Sequence, residues 1–254
     1  MNIEKYLNRI DIKAPPSVSK SFLFQLHENH LLNVPFENLD VHYQVPIRLD
    51  IRNFYEKIVE KGRGGFCYEL NGLFRHLLKK IGFKTKIISC RVYEGEDRYT
   101  PDFDHMAIIV TIDAESYLVD VGFGDFILKP LPITYDCKIE DPNGTFVFNK
   151  HSQMDYIQLS RLRNGEPIPE YIFKTNSRNL SQFSKMCDFH QYSPESHMAK
   201  KKMISKATNE GRITLTESDF IITKKGLKSK KNSSNKDFEH LVKKYFRIDL
   251  EMPK

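Results

Sequence analysis

Apolar residues recur at helical spacing through the first third of the chain, then give way to strand-like runs. Ile3, Tyr6, Leu7 and Ile10 share one helical face. Ile51, Phe54, Tyr55, Ile58 and Val59 follow the same rule. Asp50 stands just before them as an N-cap, since its carboxylate can accept the free N–H groups of a first turn. The strongest pattern is Leu70, Leu73, Phe74, Leu77, Leu78 and Ile81, one apolar face that ends at the capping residue Gly82. Residues 1–82 therefore read as helical.

From residue 83 the period changes. Short β-rich runs occupy 86–93, 105–112, 117–122, 145–148, 156–159 and 171–173. Turn clusters such as Asp141-Pro142-Asn143-Gly144 separate them. Successive strands without helices between them predict an antiparallel sheet or barrel. Beyond residue 175 the pattern is mixed. A helix or coil covers 178–190, and strand-like runs fall at 213–215 and 220–223. The stretch KKGLKSKKNSSNK at 224–236 reads as a mobile loop. A final helix carries Phe238, Leu241, Val242, Tyr245 and Phe246 on one face.

Composition narrows the class. The 254 residues suit one large unit or two or three small ones packed together. The 18 Phe and 12 Tyr supply a core, which excludes a disordered, collagenous or disulfide-stapled chain. No stretch approaches the roughly 18 apolar residues of a membrane span. The N-terminus is charged from Glu4 onward and has no apolar signal region, so no membrane partner is expected. Four cysteines without a CxxC read as reduced thiols of a cytoplasmic protein, with no structural zinc and no metal site. The net charge of +6 is mild, and no basic stripe with interleaved aromatics appears, so nucleic acid is not an expected partner.

The candidate chemistry begins at Arg63-Gly64-Gly65-Phe66-Cys67-Tyr68-Glu69. Cys67 opens the strongest helix just after a glycine-rich turn. Free N–H groups and the helix dipole there favour a thiolate and are expected to lower the thiol pKa. Small glycines let a substrate approach the sulfur. The plainer reading is a buried structural cysteine. A thiolate nucleophile needs a base. His76 lies nine residues on, across the same helix; His27 with His30, and Cys187 with His190, form weak pairs better read as structural. His105 begins an apolar strand. A two-residue turn at Asp113-Ala114 would place His105 opposite Gly122, with Asp120 as its same-face diagonal neighbour. A register slip of one residue would send Asp120 to the other face. An aspartate buried in an apolar strand needs a partner. Cys67, His105 and Asp120 together make a Cys–His–Asp arrangement, suited to acyl transfer through a thioester. Peptidases, transglutaminases and acetyltransferases share that chemistry, and the residues alone leave all three open.

Four ordered blocks resemble the arylamine N-acetyltransferase family: Val34-Pro35-Phe36-Glu37-Asn38-Leu39, Arg63 through Asn71, His105-Met106-Ala107-Ile108-Ile109-Val110, and Asp120-Val121-Gly122-Phe123-Gly124. The gaps of 38 from Cys67 to His105 and 15 from His105 to Asp120 are similar to those of the family. The resemblance implies an α+β fold with a cysteine-protease-like core. A helical bundle (1–82) carries the nucleophile, an antiparallel β-barrel (83–190) carries His and Asp, and a linker and α/β lid (191–254) complete it. It implies Cys67 as nucleophile, His105 as base and then acid, and Asp120 as the group that orients it. The implied route is ping-pong: acetyl-CoA acetylates Cys67, and an arylamine or arylhydrazine takes the acetyl group. Phe36 and Phe123 are the implied substrate-binding residues. Arg63 and Glu37 are implied as an ion pair holding the nucleophile loop, and Asn71 as a partner of Asp120. No bound cofactor is implied, and a monomer or weak homodimer is expected. The same triad also suits a CoA-independent amide synthase or a thiol hydrolase. Near 180–198, Leu180, Phe183, Pro194 and Ser196 fit the family pattern. Gln182, Cys187, Gln191-Tyr192 and Met198 stand where it favours Asp, Asn, Ser-Thr and Phe. The lysines at 224–231 read as a solvated face rather than a phosphate cradle.

Overall fold

The computed structural model describes residues 1–152 and 155–250. Its N-terminal part is built from α1 (Ile3–Arg9), α2 (Lys20–Asn33), the two-residue β1 (Phe36–Glu37), α3 (Leu39–His42), α4 (Ile51–Tyr55) and α5 (Cys67–Ile81). The capping signals work as the sequence implies. Asp50 Oδ1 accepts the N–H groups of Arg52 and Asn53, and Gly82 ends α5 at φ 115°, where a side chain would be strained. Glu69, in the first turn of α5, reaches back to accept the N–H of Phe66.

The middle of the chain is one antiparallel sheet. It comprises β2 (Lys84–Gly95), β3 (Arg98–Tyr99), β4 (His105–Ile112), β5 (Glu115–Val119), β6 (Leu131–Pro132), β7 (Ile139–Asp141), β8 (Gly144–Lys150), β9 (Ile157–Arg163) and β10 (Glu166–Phe173). The order β6-β5-β4-β2-β10-β9-β8-β7 curls into a nearly closed barrel, with β3 paired to β2. Its two edges are drawn together by side-chain and main-chain bonds. The Asp141 carboxylate at the end of β7 accepts the N–H groups of Leu128 and Lys129, and Asp136 N–H donates to Phe148 O of β8.

Strand period decides what β4 faces. Ile108, Val110 and Ile112 pack into the helical core with Leu70, Phe74 and Leu77 of α5, whereas Ala107 and Ile109 join the barrel core with Phe126, Phe146 and Tyr171. His105 has the parity of Ala107 and Ile109, so its ring falls on the barrel side. The β4–β5 hairpin turns at Asp113-Ala114, both with positive φ, and pairs Ile112 with Glu115 and Ile108 with Val119, the register read from the sequence. The run expected over 117–122 stops earlier, at Val119. Asp120 Oδ1 accepts the N–H of Gly122, two residues on, and this local bond turns the chain out of the ladder.

The last part begins with α6 (Ser184–Tyr192) and α7 (His197–Lys200), followed by β11 (Met203–Thr208), β12 (Gly211–Thr216), β13 (Asp219–Lys224), β14 (Leu227–Asn232) and α8 (Asn235–Leu241). The lid sheet runs β1-β11-β12-β13-β14. Phe238, Val242 and Phe246 pack on Ile204, Leu215 and Phe220 beneath it. The stretch expected as a mobile loop is corrected here: Leu227–Asn232 pairs with β13 along its length. As an edge strand exposed throughout, it needs no apolar alternation, and its lysines guard an open edge. The architecture is α+β, with helical bundle, barrel-like sheet and α/β lid. Phe36 joins its parts: it bridges Gly65 on one side and pairs with Ser205 of β11 on the other.

Candidate active site

Cys67, His105 and Asp120 come from three elements and lie within one buried region, at 2%, 3% and 1% exposure. The first turn of α5 carries the sulfur. Gly122 permits the close approach behind it, because a Cβ there would stand 2.8 Å from Cys67 Cα and 2.7 Å from Asn71 Nδ2. The main chain at Met106, next to His105, lies against the Cys67 sulfur and favours its charged form. Asn71, one turn along α5, donates to Met106 O (2.6 Å) and Asp120 Oδ1 (2.9 Å), and accepts the Val121 N–H (2.9 Å). The α5 helix, β4 and the segment after β5 are thus stitched together around the three side chains.

His105 Nε2 is 2.7 Å from Asp120 Oδ2. That contact leaves Nδ1 as the ring nitrogen available to a thiol. Tyr171 hydroxyl also donates to Asp120 Oδ2 (3.2 Å). Burial pushes the Asp120 carboxyl up, but the His105 charge and hydrogen bond, with the bonds from Asn71 and Gly122, win and hold it below the usual carboxylate range. His27 fixes the backbone at this point. It is fully buried, its Nδ1–H donates to Leu128 O (3.0 Å), and its Nε2 accepts the Asp120 N–H (3.3 Å). Burial lowers its pKa, so it serves as a neutral brace.

The sulfur departs from the sequence expectation. Burial pushes the Cys67 thiol well above its ordinary range; the Met106 main chain opposes this, and Asp104 and Asp120 add to it. Burial outweighs that opposition, so a lone thiolate is disfavoured. Asp120, however, is held on the neighbouring imidazole. The arrangement therefore suits transfer of the thiol proton to His105, which creates an ion pair rather than a single buried charge.

A cavity of about 640 Å³ opens onto Cys67 and His105. Phe36 and Phe123 both line it. The Phe123 ring lies 4.9 Å from the His105 ring and 5.2 Å from that of Tyr171. Arg63 and Glu37 form the expected pair, Nη2 to Oε1 at 2.8 Å. The sequence reading missed the rest of this cluster. Lys57 Nζ lies 2.8 Å from Asp40 and 2.9 Å from Glu69, and Arg63 also meets Asp40. Three carboxylates around two cations fasten the Cys67 loop to β1, α3 and the turn that follows α4. These partners come from five separate places in the chain, and only the Arg63–Glu37 pair was marked by a motif. His27 and Tyr171 were likewise missed, since nothing local signals their contact with Asp120.

Comparison with known proteins completes the picture. Residues 21–254 match the family model described as N-acetyltransferase. The chain belongs to this family. Among curated relatives, it is 28% identical to the arylamine N-acetyltransferase pineal gland isozyme NAT-10 of Gallus gallus, over 99% of this chain and 95% of that one. It is 27% identical to arylamine N-acetyltransferase 1 of Homo sapiens, with the same coverage. Among solved structures, arylamine N-acetyltransferase C of Bacillus anthracis matches with a TM-score of 0.88 and 27% identity, over 98% of this chain and 99% of that one. An arylamine N-acetyltransferase from Bacillus cereus, described as having a unique Cys-His-Glu catalytic triad, matches at 0.89 and 26%, over 98% and 100%. The present chain has Asp120 beside its histidine. It is an acyltransferase of the N-acetyltransferase family, and among the described residues no helix is long and apolar enough to cross a membrane.

Proposed function

We propose that this family member acetylates arylamines and arylhydrazines, with acetyl-CoA as co-substrate, by a ping-pong route through an acetyl thioester on Cys67. The observation that carries this reading is that Cys67 and His105 share one cavity while His105 Nε2 is held on Asp120. His105 Nδ1 takes the thiol proton as the sulfur attacks the acetyl carbonyl. The tetrahedral intermediate collapses, the C–S bond to CoA breaks, and the departing CoA thiolate takes that proton. The amine nitrogen then attacks acetyl-Cys67. His105 accepts its proton and returns it to the Cys67 sulfur as the amide leaves. Asp120 orients the ring and stabilises its cation without taking the proton itself.

Arylamines are weak bases and carry a free lone pair near neutral pH, so the acceptor needs no deprotonation before attack. Phe36 and Phe123 give its ring an apolar surface. Arg63, Glu37 and Asn71 act behind the reacting atoms, by holding the loop and the Asp120 carboxylate. Lys200, Lys201 and Arg212 line the lid side of the cavity and support a phosphate-bearing co-substrate; Lys228 reaches the same cavity from the exposed strand β14, in contrast to the purely solvated face expected of 224–231. The working unit of this reading is a monomer or a weak homodimer. Four free cysteines support a reducing, cytoplasmic setting.

The test is incubation with acetyl-CoA alone, followed by peptide mass spectrometry. A stable acetyl group on Cys67, discharged by an aniline or a hydrazine, is the expected result. Rapid loss to water would point to a thiol hydrolase instead. No adduct would point to a CoA-independent amide synthase.

A further inference from the structure

Three side chains that the acyl-transfer chemistry does not use meet beside the cavity. Asp104 precedes β4, His190 lies near the end of α6, and His197 opens α7. One donor atom from each, a carboxylate oxygen and two ring nitrogens, lies within 4.8 Å of the others. His190 Nε2 is 3.4 Å from Asp104 Oδ1. Two ligands on one tetrahedral zinc ion, each bonded at about 2.0–2.1 Å, stand about 3.3 Å apart. The pair is therefore already at ligand spacing.

Two further observations point to an occupant. Asp104 Oδ2 is buried without a hydrogen-bond partner among the described residues, a costly state for a carboxylate oxygen. His190 Nδ1 is 3.0 Å from Ser196 Oγ, which also accepts the Met198 N–H. A metal-bound imidazole commonly needs such an orienting partner on its second nitrogen. His197 is exposed and lines the Cys67 cavity together with Asp104, which gives an ion a way in. The Cys187–His190 spacing does not supply the ligand set. Cys187 Sγ instead takes a contact from Gln191 Nε2 at 3.3 Å, beside Ile47.

We propose that Asp104, His190 and His197 form a binding site for a divalent transition-metal ion of the zinc class on the wall of the Cys67 cavity. Two imidazoles and a carboxylate suit zinc, nickel or cobalt rather than calcium or magnesium. Bound there, the ion ties α6 and α7 to the residue next to His105 and narrows the approach to Cys67. Its role is a reversible brake, and the binding itself does not depend on the chemistry at Cys67.

The test uses the full chain with Cys67→Ser, so that the cavity thiol takes no part. Equilibrium dialysis against Zn²⁺ should show one ion per chain. Co²⁺ should give visible ligand-field bands without thiolate charge transfer. His197→Ala, an exposed change with little effect on folding, should weaken binding at least ten-fold; His190→Gln should do the same in protein shown folded by circular dichroism. In the chain that retains Cys67, His197→Ala should raise the Zn²⁺ concentration for half-inhibition by a similar factor. Absence of stoichiometric binding, thiolate charge transfer with Co²⁺, binding indifferent to His197→Ala, or an unshifted inhibition curve would each overturn the proposal.

Discussion

His105 Nε2 and Asp120 Oδ2 stand 2.7 Å apart in a region almost closed to solvent. Asp120 is also the acceptor for Asn71, Gly122 and Tyr171, so its carboxylate is immobilised from several sides. A ring bonded to so fixed a group has one orientation and one available nitrogen. Asp120→Asn keeps the shape and removes the charge. It is expected to lower kcat by roughly 10³–10⁴-fold, by favouring the wrong tautomer and leaving the imidazolium unsupported. Steady-state kinetics check this, with circular dichroism to show that the fold survives.

Gly122 sets how closely α5 approaches the segment that carries Asp120. Gly122→Ala would drive a methyl group onto Cys67 Cα and Asn71 Nδ2. The expected cost is about 1–3 kcal/mol of stability, as for other overpacked sites. A larger loss should appear in activity, because the displaced atoms belong to the backbone of Cys67, the proposed nucleophile. Denaturant unfolding and single-turnover acetylation measure the two separately.

The charge cluster behind the Cys67 loop makes stability depend on pH. Burial pushes the Glu69 carboxyl up to about 7; Lys57 opposes this, while Glu37 and Asp40 reinforce it. A carboxyl raised on folding holds its proton in the folded state where the unfolded chain has lost it. Stability therefore falls as pH rises from about 4.5 to about 7, by on the order of 3 kcal/mol at about 1.4 kcal/mol per pKa unit. Asp40, held low although burial pushes it up, acts in the opposite direction and only at lower pH. Glu69→Gln keeps an acceptor for the Phe66 N–H and should flatten the profile between pH 5 and 7. Melting temperatures across that range decide it.

Much of this site was legible because its determinants are local. The α5 cap at Gly82, the Asp50 N-cap and the turn at Asp113-Ala114 each follow from a few adjacent residues, and that turn fixes the register bringing Asp120 to the His105 face. What was not legible is non-local. β1 has two residues and gains its meaning only from Gly65 and β11. Lys57 looks like an ordinary exposed-face lysine until Asp40 and Glu69 close over it. β14 carries lysines where a buried strand would carry apolar residues, so its pairing leaves no trace in the hydrophobic pattern. The thiol pKa was misjudged for a similar reason. Helix position is written in the sequence, whereas depth of burial is a property of the folded whole.

The most direct test concerns the ionisation of Cys67. Its rate of alkylation by iodoacetamide, followed on the Cys67 peptide by mass spectrometry, reports the thiolate fraction as pH is varied. Coupled proton transfer to His105 calls for a rate that falls markedly with Asp120→Asn at every pH in the range, because the charge that supports the transfer is gone. A rate that keeps climbing beyond the ordinary thiol pKa of about 8.5, unchanged by Asp120→Asn, would mean that burial alone governs the sulfur and would contradict the account.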